Sequence, residues 1–429
     1  MRHAFLLAVV LVSPVERTAM SRSDAAADLR TWWSVLWEVH PEPDANIERD
    51  DLERAFRATL DTLPEHLTPE MVYSRLARLS ALLGDSHTTI RPPGGTSPRL
   101  PIVVHEGRAF LNRPYGPLPA GAEVRRIGGH PVEQLFDWGR PHIAAELPSG
   151  VDEGLPLLVP AALRAFGRRN NLVEVRANHE SMSAPYEPTP EPKEFALSGY
   201  WLEGDIAMLR VRTMSGIFEI ESYDRWLAAF FQEVANRSAR GLVIDLRDNR
   251  GGSTLVGELV LMYVAEEPFR MFGEKRWKVS RRMQASLEGQ GFVDYEQASP
   301  GEVLVQVPAL REPPPHPLRF HGPVAFLIGP QTLSSAMMTA NAVEDFGLGL
   351  LVGRPTSTPP NYFGEVYSFR LPRTGLEATF STARFVRANG DASDPNAVQP
   401  DRLVPFGPQS LSDERDWDLR TALHALRGQ

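Results

Sequence analysis

The chain has 429 residues, 42% apolar and 23% charged, which are ordinary values for a folded protein with room for two or three domains. A formal net charge of −9, with no basic run, argues against a nucleic-acid binder. Cysteine is absent, which excludes thiol nucleophiles, disulfides and thiolate metal sites.

Met1-Arg2-His3, the apolar run Ala4–Val12 and the breaker Ser13-Pro14 read as a short secretory signal over residues 1–20, so the protein is expected to be exported, to the periplasm or beyond. Glu16 and Arg17 stand where a cleavage site wants small residues, and initiation at Met20, giving a cytoplasmic protein, is the alternative. No other apolar run approaches the ~20 residues of a membrane-spanning helix.

Residues 21–91 read as a helical segment. Leu29, Trp32, Trp33, Leu36 and Trp37 repeat at three- and four-residue steps and form one apolar stripe, with the tryptophans in the core. Asp51–Leu63 and Thr68–Leu83 give two more helices. Thr68-Pro69 is a start signal for the last of them, and Gly84 is its C-terminal cap. Past that cap lies the polar turn Asp85-Ser86-His87-Thr88.

From 92 to 182 short strands and turns dominate: Pro101–His105, Ala109–Asn112, Glu123–Ile127 and Leu172–Arg176, with helices over Val132–Trp138 and Leu157–Phe166. The proline-rich stretch 183–195 reads as an extended linker.

Residues 196–429 alternate strand and helix: Ile206–Arg210, Ile220–Asn236, Gly241–Leu246, Leu255–Ala265, Pro323–Ile328, Ser334–Phe346 and Gly349–Val352. The strands are apolar throughout, as in a parallel sheet covered on both faces. A polar, proline-rich insertion at 268–321 interrupts the pattern. Strands Gly364–Leu371 and Leu376–Ser381, a turn at 391–401 and a helix near 414–427 complete the chain.

Ligands in open α/β sheets collect beyond the carboxyl ends of strands, beside helix N-termini. Ser334 occupies such a place, where free amides and the helix dipole would stabilise an oxyanion, although serine is also simply a preferred N-cap. Gly251 and Gly252, after the strand ending at Leu246, let backbone amides approach a ligand or merely form a tight turn. His87 would serve as general base if the fold carries it to Ser334, and is otherwise a surface residue. No histidine pair has the i, i+4 spacing of a metal site, so neither metal nor cofactor is called for.

Taken together these pieces resemble the S41 serine peptidases, which include the C-terminal processing proteases and the tricorn core protease. The resemblance rests on Leu82–Thr88, the Asp245–Gly252 glycine loop, Gly329–Ala336, Val352–Thr356 and Val398–Asp401, in that order. It implies a multidomain α/β protein: a crotonase/ClpP-like catalytic domain, an N-terminal helical segment and a small PDZ-like β region. Ser–Lys members place the lysine after the serine, whereas the last lysine here is Lys278, so the histidine-using branch is the one matched. By that match Ser334 is the nucleophile, His87 the base, Ser86 its helper and Asp394 the position of the assisting acid. The oxyanion donors would be amides of Ser335 and of Gly251 or Gly252. Met337 and Ala397 replace the family's usual glutamate and glycine. The expected activity is hydrolysis of peptides or proteins. The alternatives are an inactive relative that binds peptides or small ligands, and an esterase or acyltransferase on the same site.

Overall fold

The computed structural model describes residues 20–96, 100–187, 196–215, 220–413 and 415–428, so the signal reading before Met20 and most of the proline-rich linker lie outside the described residues. No helix among the described residues is long and apolar enough to cross a membrane.

The N-terminal segment packs helices Arg22–Val39, Arg49–Asp61 and Pro69–Ala81. Leu29, Trp32 and Leu36 are fully buried, as the helical stripe requires, and Trp33 stacks on Phe56 at 4.3 Å. Ser21 and Thr68 cap their helices by accepting from Asp24 and Met71 amides. The third helix ends at Ala81, and Gly84 takes φ +58° in the turn beyond it.

A second sheet runs Ile102–His105, Arg108–Leu111, Glu123–Ile127, Leu172–Ala177, Glu180–Pro185, with His130–Pro131 paired to the third strand. Ser183–Pro185, expected in the linker, instead close this sheet as the end of a hairpin. Helix Pro148–Phe166 packs beside it and begins well before Leu157. Pro156 and Pro160 lie inside this helix and mask its first half from a reading that halts helices at proline.

The central sheet orders Leu197–Leu202, Ile206–Val211, Gly241–Asp245, Val324–Ile328, Leu350–Gly353 and Arg402–Leu403. The first pair is antiparallel and every later pair parallel. Gly241–Asp245 and Val324–Ile328 are buried at every position, which explains why both are apolar up to Asp245, whose carboxylate is paired with Arg247.

The insertion 268–321 is not irregular. Its strand Glu274–Lys278 pairs with Glu377–Val386, and Val303–Gln306 adds outside it. Tyr362–Arg370 lies on the other side of Glu377–Val386. Thr89–Ile90, just past His87, pairs with Thr379 and Ala378 of that same strand. Buried Asp28 adds a second tie, accepting from the Arg373 and Thr374 amides at 3.0 and 2.7 Å. Lys278 donates to the Trp37 and His40 carbonyls, and Arg282 pairs with Glu38 at 2.9 Å. The helical segment is thus fastened to the α/β domain on both sides of the turn that carries His87.

Candidate active site

Strand Val324–Ile328 runs into a turn tied to its neighbour. The Gly329 amide donates to Thr332 Oγ1 at 3.0 Å, and Thr332 Oγ1 donates to the Leu246 carbonyl at 2.9 Å. The Leu333 amide donates to the Asn249 carbonyl at 3.0 Å. Ser334 follows at the N-cap of helix Ser335–Phe346, yet its side chain caps nothing. Its backbone sits at φ +51°, ψ −125°, a conformation that costs a non-glycine residue ~1–3 kcal/mol and persists only where surroundings enforce it. The plain-cap reading of Ser334 therefore fails, and its hydroxyl is left available. The buried Tyr362 phenol nearby donates to Met338 Sδ at 3.1 Å.

Gly251 and Gly252 have φ +92° and +140°. A Cβ on Gly251 would stand 2.7 Å from Ser334 Cβ, and one on Gly252 would stand 2.2 Å from the Met214 carbonyl carbon. Glycine is needed at both because the loop lies directly against other backbone. Asn249 braces the loop, donating to the Val211 carbonyl at 2.9 Å and accepting the Gly251 amide at 2.8 Å. That bond corrects the expectation for Gly251, whose N–H is already committed. The amides of Gly252 and Ser335 have no protein acceptor among the described residues, and Ser335 Oγ joins the two segments by donating to the Gly252 carbonyl at 2.7 Å. Met337, at the position where the resemblance leads one to expect glutamate, is fully buried in the apolar core and serves packing.

His87 is carried on the turn after helix Pro69–Ala81. Asp85 is fully buried; its Oδ2 accepts from His40 Nε2 at 3.1 Å and its Oδ1 accepts the His87 amide at 2.9 Å. His40 Nδ1 accepts the Glu42 amide, which leaves Nε2 as the protonated nitrogen. Burial pushes the Asp85 carboxyl up, but the His40 hydrogen bond and charge, with His87 and Thr88, hold it below the usual range. The buried Ser381 amide donates to Thr88 Oγ1 at 3.0 Å, which fixes the turn on the α/β domain.

Ser86 links His87 to an acid. Its Oγ is 3.3 Å from His87 Nδ1 and donates to Glu146 Oε1 at 3.0 Å, while its amide donates to the same oxygen at 3.0 Å. With Ser86 donating to Glu146, its oxygen accepts from His87 Nδ1–H. The free Nε2 is then the basic nitrogen. Burial, then repulsion from Asp85, raises the Glu146 carboxyl to about 7, the Ser86 bonds opposing them. Burial lowers the His87 imidazole, partly offset by Asp85.

His87, Ser86 and Ser334 line one cavity of about 460 Å³, walled also by Ile143, Leu157 and Arg250. The His87 ring centre is 5.4 Å from that of Tyr362. The two distant sequence segments therefore share a cleft.

Asp394 is elsewhere. Its carboxylate is held by Arg387 and Asn396, and Arg387 also binds Glu344 and Asp345 at the far end of the helix that Ser334 begins. That end is roughly 15 Å along the helix axis from Ser334. The acid beside His87 is Glu146, from the β region, 60 residues from Ser86 in sequence. No motif marks it; only the tertiary packing brings it there. Asp85, His87 and Glu146 each place one ligand-type atom within 4.8 Å of the others, but both Asp85 oxygens already accept hydrogen bonds.

Residues 205–404 match the model of peptidase family S41. Among solved structures the chain is similar to mature CPAF, at 16% identity and TM-score 0.63, over 95% of this chain and 96% of that chain. It is also similar to the photosystem II D1 C-terminal processing protease, at 14% identity and TM-score 0.50, over 93% of this chain and 97% of that one. Identities this low speak for the shared fold.

Proposed function

We propose that this chain is a serine peptidase that works through an acyl-enzyme on Ser334 with His87 as general base, a reading supported by the match of residues 205–404 to the model of peptidase family S41. The observation that carries the reading is the Ser86 hydroxyl held between His87 Nδ1 and Glu146 Oε1, in the cavity that Ser334 also lines.

The steps balance in protons. Ser334 Oγ attacks the scissile carbonyl carbon, and its proton passes to His87 Nε2. The amides of Gly252 and Ser335 donate to the developing oxyanion at the positive end of the helix. Collapse breaks the C–N bond as His87 returns the proton to the leaving amine. Water then attacks the ester, its proton goes to His87, and collapse returns that proton to Ser334 Oγ. Throughout, Asp85 and Glu146 offset the positive charge on the ring. The direct experiment is hydrolysis of a peptide panel beside matching esters; turnover of esters alone would reject the peptidase chemistry.

The reading fixes a pH profile. Catalysis needs neutral His87 and ionised Glu146. With Glu146 near 7 and His87 below its usual range, the acid limb of kcat/KM lies near pH 7 in the wild type. In Glu146→Gln the limb falls to that of the His87 imidazole, and the plateau drops roughly 10- to 100-fold. Stability moves the opposite way. The Glu146 carboxyl is raised on folding, so folding is favoured below its unfolded value and the advantage is lost as pH rises through about 7. Glu146→Gln should therefore gain on the order of 2–3 kcal/mol at pH 8 and little at pH 4, read by urea unfolding. An unmoved acid limb would remove Glu146 from the relay.

A further inference from the structure

The segment that delivers Glu146 is pinned to the helix that delivers His87 by a second histidine. His142 Nδ1 lies 2.6 Å from the Trp138 carbonyl, which can only accept, so this nitrogen carries the proton. Nε2 is then the acceptor, and Ser74 Oγ, in the middle of helix Pro69–Ala81, donates to it at 2.7 Å. The ring is buried and sandwiched between Trp138 at 4.3 Å and Tyr73 at 5.9 Å, nearly parallel to both. Both nitrogens are therefore occupied and the ring has no freedom to turn.

We propose that Ser74 and His142 are positioning residues that set the Glu146–Ser86–His87 relay. The inference rests on the acyl-enzyme reading above. Three hydrogen bonds at two points fix one stretch of chain across one helix and its turn: His142 on Ser74, and Glu146 on the Ser86 amide and hydroxyl. Only Ile143, Ala144 and Ala145 separate the two points, too few to absorb a shift at one without moving the other. Small misplacements of catalytic groups cost large factors in rate. The groups facing the pin do not change state in the working range. Burial, with Arg78 adding, holds the His142 imidazole at about 4 against the pull of the Trp138 carbonyl, so it stays neutral while Glu146, facing Asp85, titrates near 7.

Ser74 tests this cleanly because its side chain lies outside the substrate cavity, whereas His142 forms part of the wall. Ser74→Ala should lower kcat by roughly tenfold with KM within about twofold. Its acid limb should move down toward that of Glu146→Gln, because Glu146 no longer seats squarely on Ser86. Ser74→Thr, which keeps the hydroxyl, should restore both. Ser74→Cys keeps the volume with a weak donor and should show a smaller fall in the same direction, which serves if the alanine variant folds poorly. Folded variants with wild-type kcat and an unmoved limb would overturn the proposal, as would a fall in kcat with no limb shift and no rescue by threonine. A wild type that neither cleaves peptides nor reacts with a fluorophosphonate fails the acyl-enzyme reading itself. An active wild type with unaffected Ser74 variants fails the pin alone.

Discussion

Ser334→Ala should lower peptide turnover by roughly 10⁵-fold or more while leaving a folded protein, as removal of a serine nucleophile does elsewhere. The reason is local. The serine caps no helix amide, stands at φ +51° against the glycine loop, and has its hydroxyl in a cavity shared with His87. Nothing in the fold needs that hydroxyl, so its loss is felt in chemistry and not in stability. Ser334→Gly sharpens the point. It is equally inactive, and because glycine relaxes at positive φ it should be more stable than the wild type by about 1–2 kcal/mol by urea unfolding. A glycine variant less stable than the parent would show that the backbone there holds no strain.

His87→Ala should lower kcat by roughly 10⁴- to 10⁶-fold, with KM changed far less. The cavity contains one other histidine, and it is no substitute: both nitrogens of His142 are engaged, by the Trp138 carbonyl and by Ser74. The alanine variant leaves a ring-sized space in an open cleft beside Ser86, so added imidazole should restore part of the lost rate. The restored rate should follow the fraction of neutral imidazole in solution. Retention of activity by His87→Ala, or no response to imidazole in a folded variant, would place the base elsewhere.

The sheet and the nucleophile side were legible because their signals are local. Apolar runs marked Gly241–Asp245 and Val324–Ile328, and the strand-to-helix turn marked Ser334. The same signals cannot tell a capping serine from one forced to positive φ, since both read as Ser before a helix. Asp394 shows where spacing fails. Its distance along the chain from Asp401 is fixed, but Arg387 draws it to the far end of the serine's helix. Glu146, the acid that stands beside Ser86, comes from a different segment of the chain, brought there by packing and marked by no pattern. Gly251 lies beside Ser334, yet its amide belongs to Asn249, a side-chain bond that composition does not reveal. The insertion's strands are rich in charge and valine, which hid their pairing with Glu377–Val386.

The central claim, that Ser334 and His87 form one catalytic pair, is tested most directly by fluorophosphonate labelling followed by intact-mass and peptide mapping. The wild type should gain one adduct, on Ser334, at a rate that falls along the same acid limb near pH 7 as turnover. The adduct should vanish in Ser334→Ala and form slower by at least about a hundredfold in His87→Ala. No labelling of folded wild type, an adduct on another residue, or an undiminished rate in His87→Ala would contradict the account.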